Sequence, residues 1–190
     1  MLDKDINYIV SGLERSGTSM LMQILDAGGL ECIFDESRKP DENNPKGYFE
    51  LEGGKIINKI IDGSFPLQDY KGKIIKITAY GLKFLPPGKY EIIYSERNIE
   101  EILDSMDKMA KIKDENRLET KKAFTALNKT TKKNIQQRED MDALFVNYNH
   151  ILSKPNENIK KIQQYLKISD EKIDEMMSVV DKRLYRNRKK

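Results

Sequence analysis

The sequence predicts an α/β fold, a three-layer sandwich with a mostly parallel sheet and a P-loop-like loop for binding phosphate. Three observations predict it. Apolar runs of strand length alternate with segments of helical period, the pattern of a parallel sheet with helices on both faces. The run Tyr8-Ile9-Val10 passes through Gly12-Leu-Glu-Arg-Ser-Gly-Thr-Ser19 into Met20-Leu21-Met22-Gln23-Ile24-Leu25, and strand, glycine loop and helix in that order aim backbone N–H groups and a positive helix end at one point. A second strand end, at Arg97, opens into a helix through Asn98, a residue type that caps helices.

The elements follow in order. Residues 6–10 read as the first strand and 18–27 as the first helix, stopped by Gly28-Gly29 in the manner of a glycine C-terminus. Residues 35–47 are polar and carry Pro40 and Pro45, so they form a loop. Leu51, Ile56, Ile57, Ile60 and Ile61 have helical spacing across 51–61, and 73–78 is a short buried strand. After the turn Pro86-Pro87-Gly88, residues 90–95 form a strand, and Ile99, Ile102, Leu103, Met106 and Met109 mark one face of a helix. The charged stretch 111–140 carries Phe124, Leu127, Thr131 and Ile135 on one stripe, which predicts an amphipathic helix with a solvated face. Residues 143–147 are a strand, 156–166 a helix and 170–180 a shorter helix before the basic tail. Ligands of such sheets bind beyond the carboxyl ends of the strands, which gathers the first loop, Lys76, Arg97 and Tyr148 at one edge.

Composition narrows the function. A chain of 190 residues suits one domain with one sizeable core. Its 34 basic and 31 acidic residues, net +3, are too balanced to imply a nucleic-acid partner, and much of the surplus sits in the tail from Lys182 to Lys190. The single Cys32 cannot form an internal disulfide and fits a reducing compartment; it reads as a small packing residue. No apolar run approaches the roughly 20 residues that cross a bilayer, and no signal peptide fits before the phosphate loop, so a soluble cytoplasmic protein without a membrane partner is expected.

Two segments carry chemistry. The glycines of the first loop match P-loop spacing, yet the P-loop lysine is missing: Thr18 and Ser19 follow Gly17, and the loop cation is Arg15, upstream. In Tyr94-Ser-Glu-Arg-Asn-Ile-Glu-Glu-Ile-Leu-Asp-Ser105, Ser105 lies nearly two helical turns beyond Asn98 on the same face. Arg97 and Ser105 can therefore meet one anion, the arginine as a two-pronged donor and the hydroxyl as a third.

Together these segments resemble the sulfotransferases that use 3′-phosphoadenosine 5′-phosphosulfate (PAPS) and release adenosine 3′,5′-bisphosphate (PAP). In that superfamily a loop of the form R/K-S-G-T-S/T holds the 5′-phosphosulfate, and an arginine followed eight positions later by serine holds the 3′-phosphate. Arg15-Ser-Gly-Thr-Ser19 and Arg97 with Ser105 fit both patterns. The segments Asp41 to Glu50, Val146 to Pro155 and Leu184 to Arg188 are similar to small bacterial members, so the resemblance covers nearly the whole chain except 111–140.

The resemblance implies a single sulfotransferase-like domain over 1–190 that transfers a sulfuryl group from PAPS to a hydroxyl or amine of a small-molecule, carbohydrate or peptide acceptor, with no metal required. It implies that Arg15, Ser16, Gly17, Thr18 and Ser19 hold the 5′-phosphate, that Arg97 and Ser105 hold the 3′-phosphate with Arg186 or Arg188 closing over it, and that 111–140 covers the acceptor site. Lys76, at a strand end, takes the place of a lysine that neutralises charge on the leaving phosphate, alongside Arg15. The histidine base of some members would fall near Thr78, and His150 is the chain's sole histidine, so the base is expected to be a carboxylate: Asp35 on the bacterial pattern, or Glu36 on the eukaryotic spacing. Members commonly carry proline at the position of Glu14, whose charge beside an anionic donor costs about 1 kcal/mol in a watery setting. Two alternatives stand beside this reading. One is a non-catalytic relative that binds PAP or PAPS. The other is a P-loop kinase or NTPase, which wants a Gly-Lys-Ser/Thr loop and an acidic magnesium ligand.

Overall fold

Residues 2–181 are described in the computed structural model of the chain. Four parallel strands form one sheet: β1 (Asn7–Gly12), β2 (Ile74–Lys76), β3 (Tyr90–Glu96) and β4 (Met141–Asn147), in the spatial order β2-β1-β3-β4. The helices are α1 (Thr18–Ala27), α2 (Ile56–Ile61), α3 (Ile99–Ala110), α4 (Arg117–Gln137), α5 (Tyr148–Ser153), α6 (Pro155–Leu166) and α7 (Ile173–Ser178).

The alternation of side chains along the strands builds two cores. Ile9, Ile75 and Ile92 face a cluster completed by Ile56 and Ile60 of α2, Ile102 of α3 and Ile135 of α4. Tyr8, Val10, Ile74 and Ile93 face the opposite cluster, with Leu21 and Leu25 of α1, Ile151 of α5, Ile159 of α6 and Met176 of α7. A sheet covered on both faces has strands that are apolar throughout, and every residue of β1 is buried. The three-layer expectation holds.

Several boundaries move, each for a local reason. The first strand runs on to Gly12, because its register with β3 continues to Gly12 opposite Ser95. The helix expected over 51–61 shortens to α2: Gly53 and Gly54 take positive φ values of 60° and 85°, so the chain makes a 3₁₀ turn at Glu52–Gly54 before the helix. Within 111–140, α3 ends at Lys111 in a left-handed conformation and α4 starts afresh at Arg117. Its predicted stripe is correct. Thr131 and Ile135 are buried, and Phe124 and Leu127 pack against the first cluster. The residues around His150, for which no element was predicted, form α5, where the Asn147 side chain accepts the His150 N–H. Cys32 is a packing residue bridged to Ile74, and burial raises its thiol pKa to about 12.

The strand order positions the site. From β1 the chain goes to β2 on one side and then crosses to β3 on the other. Beyond the carboxyl ends of β1 and β3 the connections diverge, and that crevice is where open α/β sheets bind ligands.

Candidate active site

A cleft of about 310 Å³ occupies this switch point. Its floor is the turn from β1 into α1. Gly17 sits at the N-terminus of α1 with φ of 104°, a conformation open to glycine and costly for other residues. A Cβ there would also lie 2.2 Å from the Tyr148 ring, so glycine is required both by conformation and by space. Arg15 is itself left-handed, with φ of 63°. Below the loop, the Ser16 carbonyl accepts the Ser95 hydroxyl at 2.8 Å, while the buried Ser16 hydroxyl finds no partner among the described residues. A glycine cradle at a helix N-terminus fits a phosphate group.

The cations converge from three elements. Arg15 donates through Nε to Ser105 Oγ at 3.0 Å and through Nη2 to the Asn43 carbonyl at 3.3 Å; burial lowers its pKa. Arg97, just past β3, donates through Nη1 to the Arg15 carbonyl at 3.0 Å and through Nε to Glu101 at 3.1 Å. Its guanidinium lies over the Tyr148 ring, 4.5 Å from the centroid. The Arg97–Glu101 pair is almost fully enclosed, with side chains 7% and 3% exposed, and Asn149 Nδ2 donates to the other carboxylate oxygen at 3.1 Å. Lys76, at the end of β2, reaches Glu50 at 3.0 Å, the Tyr48 carbonyl at 2.5 Å and Ser19 Oγ at 3.2 Å. Burial pushes its ammonium pKa down, against the opposing pull of Glu50.

The predicted residues divide clearly. Arg15, Gly17, Thr18, Ser19, Lys76, Arg97 and Ser105 all line this one cleft. Ser16 lies beneath it rather than in its wall. Arg186 and Arg188 fall outside the described residues; the described chain ends at Asp181, which lines the cleft. Glu14 is exposed and lines the rim.

Neither Asp35 nor Glu36 lines the cleft, contrary to the expectation that one of them faces it. Asp35 is consumed by its own loop: one oxygen accepts the Ser37 N–H at 2.8 Å and the Ser37 hydroxyl, the other the Glu52 N–H at 2.7 Å. Glu36 is exposed. Besides Glu14 and Asp181, the cleft is lined by the carboxylate of Glu50, which is held between Lys76 and Arg38 Nη1, the latter at 3.1 Å. Arg38 also covers the Tyr48 ring at 3.5 Å. Spacing from the phosphate loop could not find Glu50, because the chain between doubles back: Asp35 N–H donates to the Glu50 carbonyl. The available signal was the segment from Asp41 to Glu50, with its likeness to small bacterial proteins. Helix α4 supplies none of the lining, nor does any other residue of 111–140. His150 is exposed and also outside the cleft.

Two desolvated cations, a third fixed in a buried pair and a helix N-terminus therefore line one cleft, a set of groups whose chemistry suits anions. The profile of the sulfotransferase domain matches residues 5–190. The chain belongs to the sulfotransferase family. A comparison with curated proteins finds no match, whereas solved structures of sulfotransferases share the fold. The sulfotransferase domain of the olefin synthase from Synechococcus PCC 7002 is 14% identical with a TM-score of 0.54, covering 99% of this chain and 85% of its own. A mouse sulfotransferase complexed with PAP is 15% identical with a TM-score of 0.52, covering 95% of this chain. Retinol dehydratase, in complex with androsterone and PAP, is 17% identical with a TM-score of 0.55 over 95% of this chain. This sulfotransferase domain spans 66% and 65% of the last two, respectively. No helix among its described residues is long and apolar enough to cross a membrane.

Proposed function

We propose that the chain transfers a sulfuryl group from PAPS to a hydroxyl or amine acceptor and releases PAP. The observation that carries the reading is the joining of the two predicted anion sites in one cleft: Arg15 bonds to Ser105, and Arg97 bonds to the Arg15 carbonyl. The mouse sulfotransferase of like fold, which was crystallised with PAP, supports the same donor.

On this reading the loop from Arg15 to Ser19 and Lys76 hold the phosphosulfate end, and Arg97 and Ser105 hold the 3′-phosphate, with Arg186 or Arg188 added from the tail. As the acceptor oxygen or nitrogen bonds to sulfur, the bond from sulfur to the bridging oxygen breaks and its electron pair stays on the phosphate. Arg15 and Lys76 stabilise that charge from fixed positions in a partly dry cleft. Glu50 takes the proton released by the acceptor, in the role first sought at Asp35 or Glu36. Such a base contributes typically 10²–10⁴-fold.

Two measurements test this. PAP, unlike ATP with magnesium at equal concentration, is expected to raise the melting temperature; ligand at one hundred times its dissociation constant adds about 2.7 kcal/mol. Labelled PAPS offered with a panel of alcohols, phenols and amines is expected to yield a sulfated product, with Glu50→Gln reducing turnover about 10²–10⁴-fold and Asp35→Asn and Glu36→Gln leaving it near normal. A magnesium-dependent shift with ATP points to the kinase alternative, and PAP binding without transfer to any acceptor points to a non-catalytic relative.

A further inference from the structure

Resting on that reading, we infer that the acceptor is a carboxylic acid, with its hydroxyl or amine at Glu50 and its carboxylate taken by Arg38 and Lys108. Among the described residues five cations line the cleft, and the reading assigns Arg15, Lys76 and Arg97 to the donor. Arg38 and Lys108 remain, and both hold hydrogen-bond donors in reserve.

Arg38 is aimed before any ligand arrives. Its guanidinium lies 3.5 Å from the centroid of the buried Tyr48 ring. Nη1 donates to Glu50 at 3.1 Å, and Nη2 meets Met109 Sδ at 4.0 Å. A thioether is a weak acceptor, so these contacts use little of a group with five N–H donors. The side chain is 38% exposed and lines the cleft. Lys108 is exposed and has no hydrogen bond or ion pair among the described residues. It precedes Met109 on α3, nearly one turn beyond Ser105, so the wall that starts at the 3′-phosphate site ends beside Arg38.

That position sets the class of acceptor. Arg38 touches the carboxylate proposed as the base, so a group accepting from the rest of its guanidinium lies close to the atom that loses its proton. An apolar acceptor would fill the cleft and leave those N–H groups without water or partner, which weakens binding. A carboxylate supplies the missing acceptor, and its single charge is matched by one arginine edge and a lysine. A phosphate dianion would bring twice the charge to an arginine already shared with Glu50, and like charges at one site repel.

Calorimetry on the full chain saturated with PAP tests the inference with probes that differ in charge alone: 4-hydroxybenzoate against 4-hydroxybenzamide, and glycolate against glycolamide. In at least one pair the acid is expected to bind about tenfold more tightly than the amide, the effect of one charge-assisted hydrogen bond. Lys108→Met, which breaks no bond among the described residues, is expected to lower that ratio about two- to fivefold, with PAP affinity nearly unchanged. Arg38→Met is expected to bring the ratio near one. The ratio is read at equilibrium, so it does not depend on proton transfer to Glu50. No preference for the acid in either pair, or binding by neither member of both, overturns the acidic acceptor and leaves the nucleotide site standing. So does a Lys108→Met variant that keeps the full ratio, or one that loses PAP affinity as much as acid affinity, since Lys108 then serves the nucleotide. Failure of the unmodified chain to bind PAP overturns both readings.

Discussion

The role given to Arg97 is open to a test in which stability and binding move apart. Replacing Arg97 alone is a poor experiment, because its partner Glu101 is 3% exposed. Removing one member of a buried pair costs about 3–5 kcal/mol, a large share of the roughly 5–15 kcal/mol that holds a domain together. Replacing both charges at once, Arg97→Met with Glu101→Gln, removes the buried carboxylate along with its arginine. Neutral substitution of a buried pair is often close to neutral in stability, and Asn149 still has a side-chain oxygen to bond. The double variant is therefore expected to recover most of the stability lost in Arg97→Met. PAP affinity is not expected to recover, since a charged hydrogen bond to the 3′-phosphate is worth about 1.5–3 kcal/mol, or roughly 10- to 150-fold. Adenosine 5′-phosphosulfate, which lacks the 3′-phosphate, serves as the control and should bind both variants nearly as well as the parent. Chemical denaturation gives the stabilities and calorimetry the affinities. Recovery of PAP binding in the double variant, or equal losses for the two nucleotides, would show that Arg97 acts through folding and not as a phosphate ligand.

Two further outcomes follow from the same cleft. Gly17→Ala forces a Cβ to 2.2 Å from the Tyr148 ring at φ of 104°, so it is expected to cost at least 1–3 kcal/mol of stability and to abolish the melting shift with PAP; an unchanged shift would mean that the loop does not grip phosphate. Burial lowers the Lys76 pKa, and the ammonium is the form that attracts an anion, so PAP affinity should hold at neutral pH and decline with rising pH before the ordinary lysine value is reached. A Lys76→Met variant, titrated by calorimetry, should lack that decline.

The sequence was most legible where one residue decides one conformation. The glycine loop, the Asn98 cap and the two apolar faces of the strands depend on neighbours in sequence, and all appear as expected. Asn98 accepts the Glu100 N–H at 2.9 Å. The strand ends followed, since Lys76 and Arg97 each close a run whose direction is set by parallel pairing. The place of Glu50 in the cleft was not legible. Asp35 and Glu50 are both loop carboxylates, and which one enters the cleft is decided by long-range pairing: Asp35 turns to cap the backbone at Glu52, and Glu50 meets cations from two other elements. The extra helix α5 was hidden for a different reason. Only six residues separate the end of β4 from Lys154, too few for periodicity to distinguish a helix from a turn.

The charges of the cleft explain how such a site remains folded. Arg15, Arg38, Lys76, Arg97 and Lys108 face it, against Glu14, Glu50 and Asp181. Five cations gathered around partly desolvated space would repel one another, and those that are buried would have lost their water. Three of them have protein oxygen in its place: Arg97 is held by Glu101, Lys76 by Glu50 and the Tyr48 carbonyl, and Arg15 by Ser105 and the Asn43 carbonyl. These partners differ in kind. Glu101 belongs to α3 and is buried beneath the cleft, so it orients Arg97 without having to leave. Glu50, Tyr48 and Asn43 belong to a loop outside the sheet and its helices, anchored by the buried Tyr48 side chain and by the Arg38–Glu50 pair. On the proposed reading, a two-anion ligand meets one arginine already fixed in direction by a buried carboxylate, and two cations held by loop oxygens, one of them also by Ser105 of α3.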